Sequence, residues 1–215
     1  ASAVAENYGV LLALRAAASL TINKPAGTVA GDVMIAAVAA TPSSIPITAP
    51  AGWTLIQSQQ QPANTASVVA AFYRVAGAGE PASYTWTLAS THAGAVGGIL
   101  SYSGVDNTLP IDVSAKAATP RSLNHAAPSV NTNLTGDMLV TVHEYTSARS
   151  WTPPAGMSER VDIASRSPNS AGIALEMNDL LLGVPSASGA KIARALRDPD
   201  TGATHSIALR AAIVA

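Results

Sequence analysis

The sequence predicts an all-β fold, an antiparallel jelly-roll-like β-sandwich with two pseudo-repeated halves. Two observations lead to this prediction. Short runs rich in Val, Ile, Thr and Tyr recur about every ten residues between Pro, Gly, Asn and Ser, as expected for strands separated by turns. In addition, one arrangement of turns and apolar runs occurs twice, about a hundred residues apart. A chain of 215 residues built this way points to layered sheets.

The repeated arrangement consists of Gly-Asp before an apolar run, followed by Pro-Ala-Gly before a bulky apolar residue. The first copy runs from Gly31 to Trp53 and the second from Gly136 to Met157, which are separations of 22 and 21 residues. Gly supplies the positive φ that a tight turn needs, and Asp bonds nearby backbone before the strand begins. We therefore interpret both motifs as turn chemistry, with Trp53 in the core.

Thirteen strands are predicted. They are 8–15, 18–23, 32–40, 53–58, 66–76, 82–88 and 95–103 in the first half, and 127–131, 137–145, 158–164, 170–178, 189–196 and 204–213 in the second. Helix competes at 11–18 and 171–182, because Ala and Leu favour it. The first run lacks a pair of caps, and the second aligns with the strand-like run 67–73, so both are predicted as strands.

Side-chain alternation supports this interpretation in part of the chain. In 83–88 the large groups fall on one face and the hydroxyls on the other. The Ala-rich runs at 34–40 and 93–99 do not alternate. They fit strands covered on both faces, by the second sheet and, in an assembly, by a neighbouring subunit.

The domain organisation has two possible interpretations. We favour a single sandwich over 1–215, with pseudo-repeat halves at about 18–106 and 127–213. The linking segment contains apolar Ile111 and Val113, and the half-repeats of a jelly roll often supply alternate strands to shared sheets. The alternative is two small β domains split near 107–122.

Composition excludes several classes of protein. With 12 basic and 13 acidic residues the net charge is −1, which favours association over repulsion and hence a homo-oligomer. The basic residues are scattered, so no nucleic-acid partner is expected. There is no apolar run of 18 residues, so no membrane partner is expected. The absence of cysteine excludes a disulfide framework.

No motif predicts a catalytic residue, a metal or a cofactor. The run 198–202 resembles the start of a calcium loop but lacks its later ligands, so we interpret it as a turn. There is no Gly-x-Ser-x-Gly elbow. On a strand, His143 and Glu144 would point to opposite faces. The four histidines show no metal-binding spacing; they are His92, His125, His143 and His205.

Four aromatic residues are the candidates for contact or ligand stacking: Trp151, Trp86, Tyr102 and Tyr145. Trp151 is the strongest of them, because it lies between Arg149 and two prolines and is predicted to sit in a loop.

The first half carries a further series of motifs. They are Ala30-Gly31-Asp32-Val33-Met34, Pro50-Ala51-Gly52-Trp53-Thr54-Leu55-Ile56, Phe72-Tyr73-Arg74-Val75-Ala76, Glu80-Pro81-Ala82-Ser83-Tyr84-Thr85-Trp86, Ser101-Tyr102-Ser103-Gly104-Val105-Asp106 and Pro110-Ile111-Asp112. Together they resemble a β-sandwich module of tailed-phage virion proteins and some bacterial surface proteins, mainly over about 20–113. The resemblance implies a capsid decoration protein, a head fibre or a minor tail protein, and no catalytic residues.

Three functions follow as hypotheses. The first is a non-enzymatic structural protein of a virus particle, located in the virion and bound to other virion proteins and to copies of itself. The alternative is a carbohydrate-binding or host-adhesion module that binds a host surface glycan, located outside the cell or on a bacterial surface. The third is a hydrolase with two carboxylates across a cleft, for which Glu80, Glu144, Glu159 and Glu176 are available without an evident pair.

Overall fold

The computed structural model describes residues 18–61, 67–88, 94–165 and 172–212. These residues form fifteen strands and no helix, which confirms the all-β prediction. The first half contains β1 Ala18–Asn23, β2 Val33–Thr41, β3 Ile47–Thr48, β4 Thr54–Gln60, β5 Val68–Val75, β6 Ser83–Leu88 and β7 Gly94–Tyr102. After β8 Ile111–Ser122, the second half contains β9 Asn124–Ala127, β10 Met138–Tyr145, β11 Trp151–Thr152, β12 Ser158–Ala164, β13 Ala174–Leu181, β14 Lys191–Ala195 and β15 Asp200–Leu209.

The strands form four antiparallel sheets, two from each half. The first half has a small sheet in the order β1-β6-β3 and a large sheet in the order β4-β5-β2-β7. The second half has a small sheet in the order β9-β14-β11 and a large sheet in the order β12-β13-β10-β15-β8. Adding eight to each strand number of the first half gives the strand order of the second. β8 is the one addition.

The sheets stack in four layers, small, large, large, small. The two large sheets face each other across an apolar seam that contains Val33 and Ile35 from the first half and Val140 and Leu175 from the second. Each small sheet covers the outer face of its own large sheet. Each half is therefore a sandwich, and the two sandwiches are packed back to back.

The Pro-Ala-Gly turns have the same geometry in both halves. Gly52 and Gly156 have φ of 85° and 78°, in the left-handed region that only Gly adopts easily. The next residues, Trp53 and Met157, donate their backbone N–H to the proline of the turn over 3.3 and 3.1 Å. The turns that precede β4 and β12 therefore have the same backbone conformation and the same hydrogen bond.

The Gly-Asp pairs also lie at turns, and their glycines have φ of 91° and 83°. Asp32 accepts the backbone N–H of Val29 at 3.0 Å, as the turn interpretation requires. Asp137 instead accepts the N–H of Ala211 at 3.3 Å, so it ties the start of β10 to the segment after β15.

The segment predicted as a link, 107–122, contains the twelve-residue strand β8. The sequence pattern did not predict β8, because it is an edge strand that includes Lys116 and Pro120. Edge strands tolerate both residues. The expectation of sheets shared between the halves is wrong, because β8 joins the second large sheet and no other named strand pairs across the halves among the described residues.

Several boundaries also differ from the prediction. The strand expected at 127–131 is β9, which ends before Pro128, a residue without a backbone donor. The two-residue strands β3 and β11 lie in proline-rich segments that fall between the predicted strands. The predicted strand 8–15 lies outside the described residues.

The Ala-rich run of β2 is covered on both faces within one chain. Every residue of β2 is buried, between the first small sheet and the second large sheet. This run therefore presents no surface to a neighbouring subunit. The second Ala-rich run differs, because Gly94 and Ala95 at the start of β7 are partly exposed.

Candidate functional site

Trp86, one of the four predicted contact residues, lies inside the first sandwich. It is fully buried, with its ring centroid 5.3 Å from that of Trp53 and 6.3 Å from that of Phe72. Trp53 itself is only 8% exposed, which confirms its prediction as a core residue. Trp86 consequently offers no ring face to a ligand, and its role in the structure is packing.

Trp151 and Tyr145 lie inside the second sandwich. Their ring centroids are 4.7 Å apart at an interplanar angle of 70°, and the ring of His125 lies 5.4 Å from Trp151. Trp151 belongs to β11, so its predicted place in a loop is wrong. Both residues are buried, because the alternation of their strands turns them toward the facing sheet.

Tyr102 is the one predicted contact residue that is partly exposed. It ends β7, and its hydroxyl donates to Asp179 Oδ2 over 3.1 Å. Arg160 Nε donates to the same oxygen over 2.9 Å. Burial, and then the negative charge of Asp179, raises the pKa of the Tyr102 phenol. This contact joins β7 of the first half to β12 and β13 of the second.

Sequence reasoning found Tyr102 but missed its partners Arg160 and Asp179. Asp179 gave little signal in the sequence, because it follows directly after the predicted strand 170–178 and β13 also carries Glu176 and Asn178. Its side chain is 7% exposed, and a buried carboxylate must have partners.

Two cavities lie along β7 and together form what we call the β7 groove. One, of about 420 Å³, is lined by Pro25, Ile99, Leu100, Ser101, Tyr102, Met138, Arg160 and Asp179. The other, of about 430 Å³, is lined by 20–23 of β1, 95–97 of β7 and 163–165 at the end of β12. The groove thus has β7 as its floor, with β1 on one side and β12 on the other.

Besides the contact of Tyr102 with Arg160 and Asp179, polar side chains cluster in the interior of the second sandwich. His143, Glu176 and Asn178 are fully buried, with Thr141 beside them on β10. His143 Nε2 lies 3.0 Å from the backbone carbonyl of Lys191 and therefore carries a proton as the donor. His143 Nδ1 lies 3.8 Å from Glu176 Oε2, which is longer than a hydrogen bond.

Burial keeps both members of this pair neutral near pH 7. It lowers the pKa of His143 to about 4 and raises that of Glu176 to about 8. Glu159 and Asp162, on the edge strand β12, add negative charge that raises the pKa of Glu176 further. Since no side chain of the pair reaches the surface, the arrangement offers no access to a substrate.

The remaining carboxylate candidates are apart from this pair. Glu144 faces the seam beside Ser67, opposite in direction to His143 as the strand alternation predicts, and burial raises its pKa to about 8. Glu80 accepts two hydrogen bonds from Arg74 Nε at 3.0 Å in the first half. Although burial opposes it, hydrogen bonds from Arg74 and Gly77 lower the pKa of Glu80 to about 2.

Within the described residues, no group of three or more His, Asp or Glu side chains is placed to hold a metal ion. Asp198, in the run that resembles a calcium loop, pairs with Arg149 over 2.6 Å. The same part of the chain contains no helix with the length and apolar character needed to cross a membrane. Comparison with protein-family models, with curated proteins and with solved structures finds no match to this chain.

Proposed function

We propose that the protein is a non-enzymatic structural component of a virus particle, such as a phage capsid decoration protein, head fibre or tail accessory protein. It acts through contacts with other virion proteins and with copies of itself. The observation that supports this proposal best is the outer face of the first small sheet, which we call the hydroxyl face.

The hydroxyl face carries no charged side chain on β1, β3 or β6. Its exposed side chains are Ser19, Thr21, Asn23, Thr48, Thr85 and Thr87. They form rows across the three strands, with Ser19 opposite Thr87 and Thr87 opposite Thr48. Thr21 Oγ1 and Thr85 Oγ1 are 2.9 Å apart, so the hydroxyls hold one another in place.

A surface of this kind suits contact with another protein. Burying a charged side chain costs free energy unless it is paired, and charged residues are depleted at the centre of protein interfaces. The short side chains of the hydroxyl face also lose little rotamer entropy when they are covered. The equivalent face of the second small sheet carries exposed Arg194 and Ile192 and is therefore different in kind.

The presence of the chain in particles is the first test. Virus particles from the source of the gene would be purified on a density gradient, and their proteins identified by mass spectrometry. We expect peptides of this chain at a constant ratio to the capsid or tail proteins. Their absence from intact particles would overturn the proposal.

The second test concerns the surface. Thr21→Lys with Thr85→Lys places two charges on the hydroxyl face, and Thr152→Lys, on the outer face of the second small sheet, is the matched control. We expect the double variant to lose co-sedimentation with particles that lack the native chain, and the control to retain it. Equal binding by all three proteins would exclude the hydroxyl face as the contact surface.

The alternative, a carbohydrate-binding or host-adhesion module, depends on Tyr102 among the four aromatic candidates, because the rings of the other three are buried. A glycan array with and without calcium tests it, and binding lost in Tyr102→Ala would favour it over the structural role.

A further inference from the structure

The large sheet of the first sandwich is wider than the small sheet that lies against it. The large sheet has four strands and the small sheet has three, and the edge strand β3 contains only two residues. On β4, Leu55 lies opposite Phe72 of the buried core, and opposite residues of paired strands share one face of the sheet. Leu55 is nevertheless 54% exposed, so the small sheet leaves this part of β4 uncovered.

A cavity of about 470 Å³ lies at this place, and we call it the β3–β4 cleft. Its lining has a buried floor and an exposed rim. The floor includes Ile45, Trp53, Val68, Ala70 and Phe72, and the rim includes Pro46, Thr48, Leu55 and Gln60. None of the described residues that line the cleft is charged. The cleft therefore suits an apolar occupant.

The second sandwich has aromatic rings at two positions where the first has small aliphatic side chains. Ile47 and Trp151 are counterparts, because each begins a two-residue strand and pairs with the last residue of the neighbouring strand, β6 or β14. Ala40 and Tyr145 are counterparts too, because each lies nine residues after the Gly of its Gly-Asp pair (40 − 31 and 145 − 136).

The two rings of the second sandwich close the edge that is open in the first. Trp151 and Tyr145 are both buried, with ring centroids 4.7 Å apart. The backbone N–H of Trp151 donates to Asp162 Oδ2 over 3.1 Å, which ties β11 to β12, the counterpart of β4. In the first sandwich Ile47, which lines the cleft, is smaller than Trp151.

We propose that the β3–β4 cleft binds an aromatic side chain of a partner protein of the virus particle. The partner's ring would do for the first sandwich what Trp151 does for the second. This inference rests on the proposed function, because the partner is the protein that covers the hydroxyl face. Thr48 belongs to the hydroxyl face and also lines the cleft, so the two surfaces are continuous. An aromatic anchor in a pocket, surrounded by contacts that exclude water, is a common centre of a protein interface.

Trp53 offers the same partner a hydrogen bond. It lines the cleft and is 8% exposed, and its Nε1–H has no acceptor among the described residues. Buried N–H groups in folded proteins are normally bonded. The indole N–H groups of Trp86 and Trp151 also lack an acceptor, but neither residue lines the cleft. A carbonyl next to the partner's ring would accept from Trp53.

The first measurement uses the full chain in solution, with N-acetyl-phenylalanine amide as the probe. Each of the three tryptophans gives one indole N–H signal in a ¹H–¹⁵N spectrum, and Trp→Phe variants assign the signals. We expect the Trp53 signal to move saturably, with a dissociation constant on the order of 1 mM, and the Trp151 signal to stay in place. N-acetyl-alanine amide, which has the same amides without the ring, should move neither signal. A Trp53 signal that the aromatic probe does not move would overturn the proposal.

Two variants locate the binding of the probe. Ile47→Trp copies the second sandwich and should fill the cleft with the chain's own ring, so that the probe no longer binds. Because a larger side chain can disturb packing, Leu55→Lys at the rim is the second variant. Its matched control is Leu196→Lys, since both leucines are 54% exposed. We expect Leu55→Lys to weaken probe binding on the order of 10-fold and the control to leave it unchanged. Equal binding by Leu55→Lys and Leu196→Lys would overturn the proposal.

The second measurement identifies the partner, by co-sedimentation with particles that lack the native chain. We expect Leu55→Lys to bind on the order of 10-fold more weakly than Leu196→Lys. Equal co-sedimentation of the two variants would overturn the assignment to a particle protein. Dimers of the unsubstituted chain that Ile47→Trp abolishes would overturn it in favour of a second copy as the occupant. Absence of the native chain from intact particles would overturn the proposed function, whereas the probe measurement tests the cleft independently of particles.

Discussion

The two sandwiches have the same strand order but opposite interiors. In the first, the face of the large sheet that meets the small sheet carries Ala36, Val38, Ala70 and Phe72. In the second, the residues at the same positions of the register are Thr141, His143, Glu176 and Asn178. Topology is therefore set by what the halves share, which is the turns and the two-residue alternation, rather than by the chemistry of the interior.

The difference also shows where stability comes from. The first interior gains free energy by burying apolar surface, about 25 cal/mol per Å², including the cluster around Trp86. The second buries ionisable groups that must stay neutral, which costs free energy unless partners compensate. The shared apolar seam stabilises both sandwiches together.

The largest expected effect comes from the aromatic interior of the first sandwich. Trp86→Ala removes a fully buried ring that contacts Trp53, Phe72 and Tyr84, and we expect the free energy of unfolding to fall by about 3–5 kcal/mol. Urea denaturation followed by circular dichroism measures this. Trp86→Phe is the control and should lose less. A loss under about 1 kcal/mol for the alanine variant would contradict the apolar-core account of this sandwich.

Replacing the polar pair of the second sandwich, His143 and Glu176, should not lower the free energy of unfolding. His143→Leu with Glu176→Met substitutes apolar groups of similar size, and we expect the unfolding free energy to be unchanged or raised by about 1–3 kcal/mol, because two buried neutral polar groups are removed together. The same denaturation measurement applies. A loss comparable to that of Trp86→Ala would show instead that the pair holds the second sandwich together.

The pH dependence of folding stability should come from ionisable groups of the second sandwich. The pKa of Glu176 is raised from 4.5 to about 8, so between these values the folded protein keeps a proton that the unfolded chain has lost. Its contribution to stability is complete below about pH 4.5 and is lost as pH rises toward 8, by at most about 1.4 kcal/mol per unit. Since burial lowers the pKa of His143 to about 4, its contribution changes only at acid pH, falling as pH drops from 6.5.

Between pH 6.5 and 8 the pH dependence therefore comes from the buried carboxyls, and these are Glu176 and Glu144, because the pKa of each is raised to about 8. We expect Glu176→Gln to reduce the fall in unfolding free energy over this range, and the carboxyl of Glu144 to account for the fall that is left. Glu80→Gln is the control from the first sandwich and should leave the slope unchanged, because the pKa of Glu80 is about 2. Equal slopes for Glu176→Gln and the unsubstituted protein would contradict the neutral buried carboxyl.

The smallest effect concerns the shared turns. Gly52→Ala and Gly156→Ala both force a Cβ into a left-handed conformation, at a cost of about 1 kcal/mol each. At Gly156 the new Cβ meets open space, whereas at Gly52 it falls on the guanidinium of Arg74, which is paired with Glu80. Thermal unfolding should therefore show a larger loss for Gly52→Ala, and a larger loss for Gly156→Ala would contradict the shared turn geometry.

The strands that the sequence predicts well are those with strong local signals. Strands β2, β6 and β10 begin within a residue of their predicted starts, because a turn precedes each. β8 was missed because an edge strand half open to solvent needs no apolar pattern. Of the candidate contact residues, Trp86, Trp151 and Tyr145 are buried. The sequence could not show this, because the identity of an aromatic residue does not reveal whether its side of the strand faces a second sheet or solvent.

By itself, the sequence determined the all-β class, the two matched turns and the alternation within strands, because these depend on residues close together in the chain. Only the tertiary structure decided which faces are covered, that the sandwiches pack through their large sheets, and that Tyr102 meets Arg160 and Asp179. Those contacts join residues far apart in sequence, so they depend on how the sheets stack rather than on any local pattern.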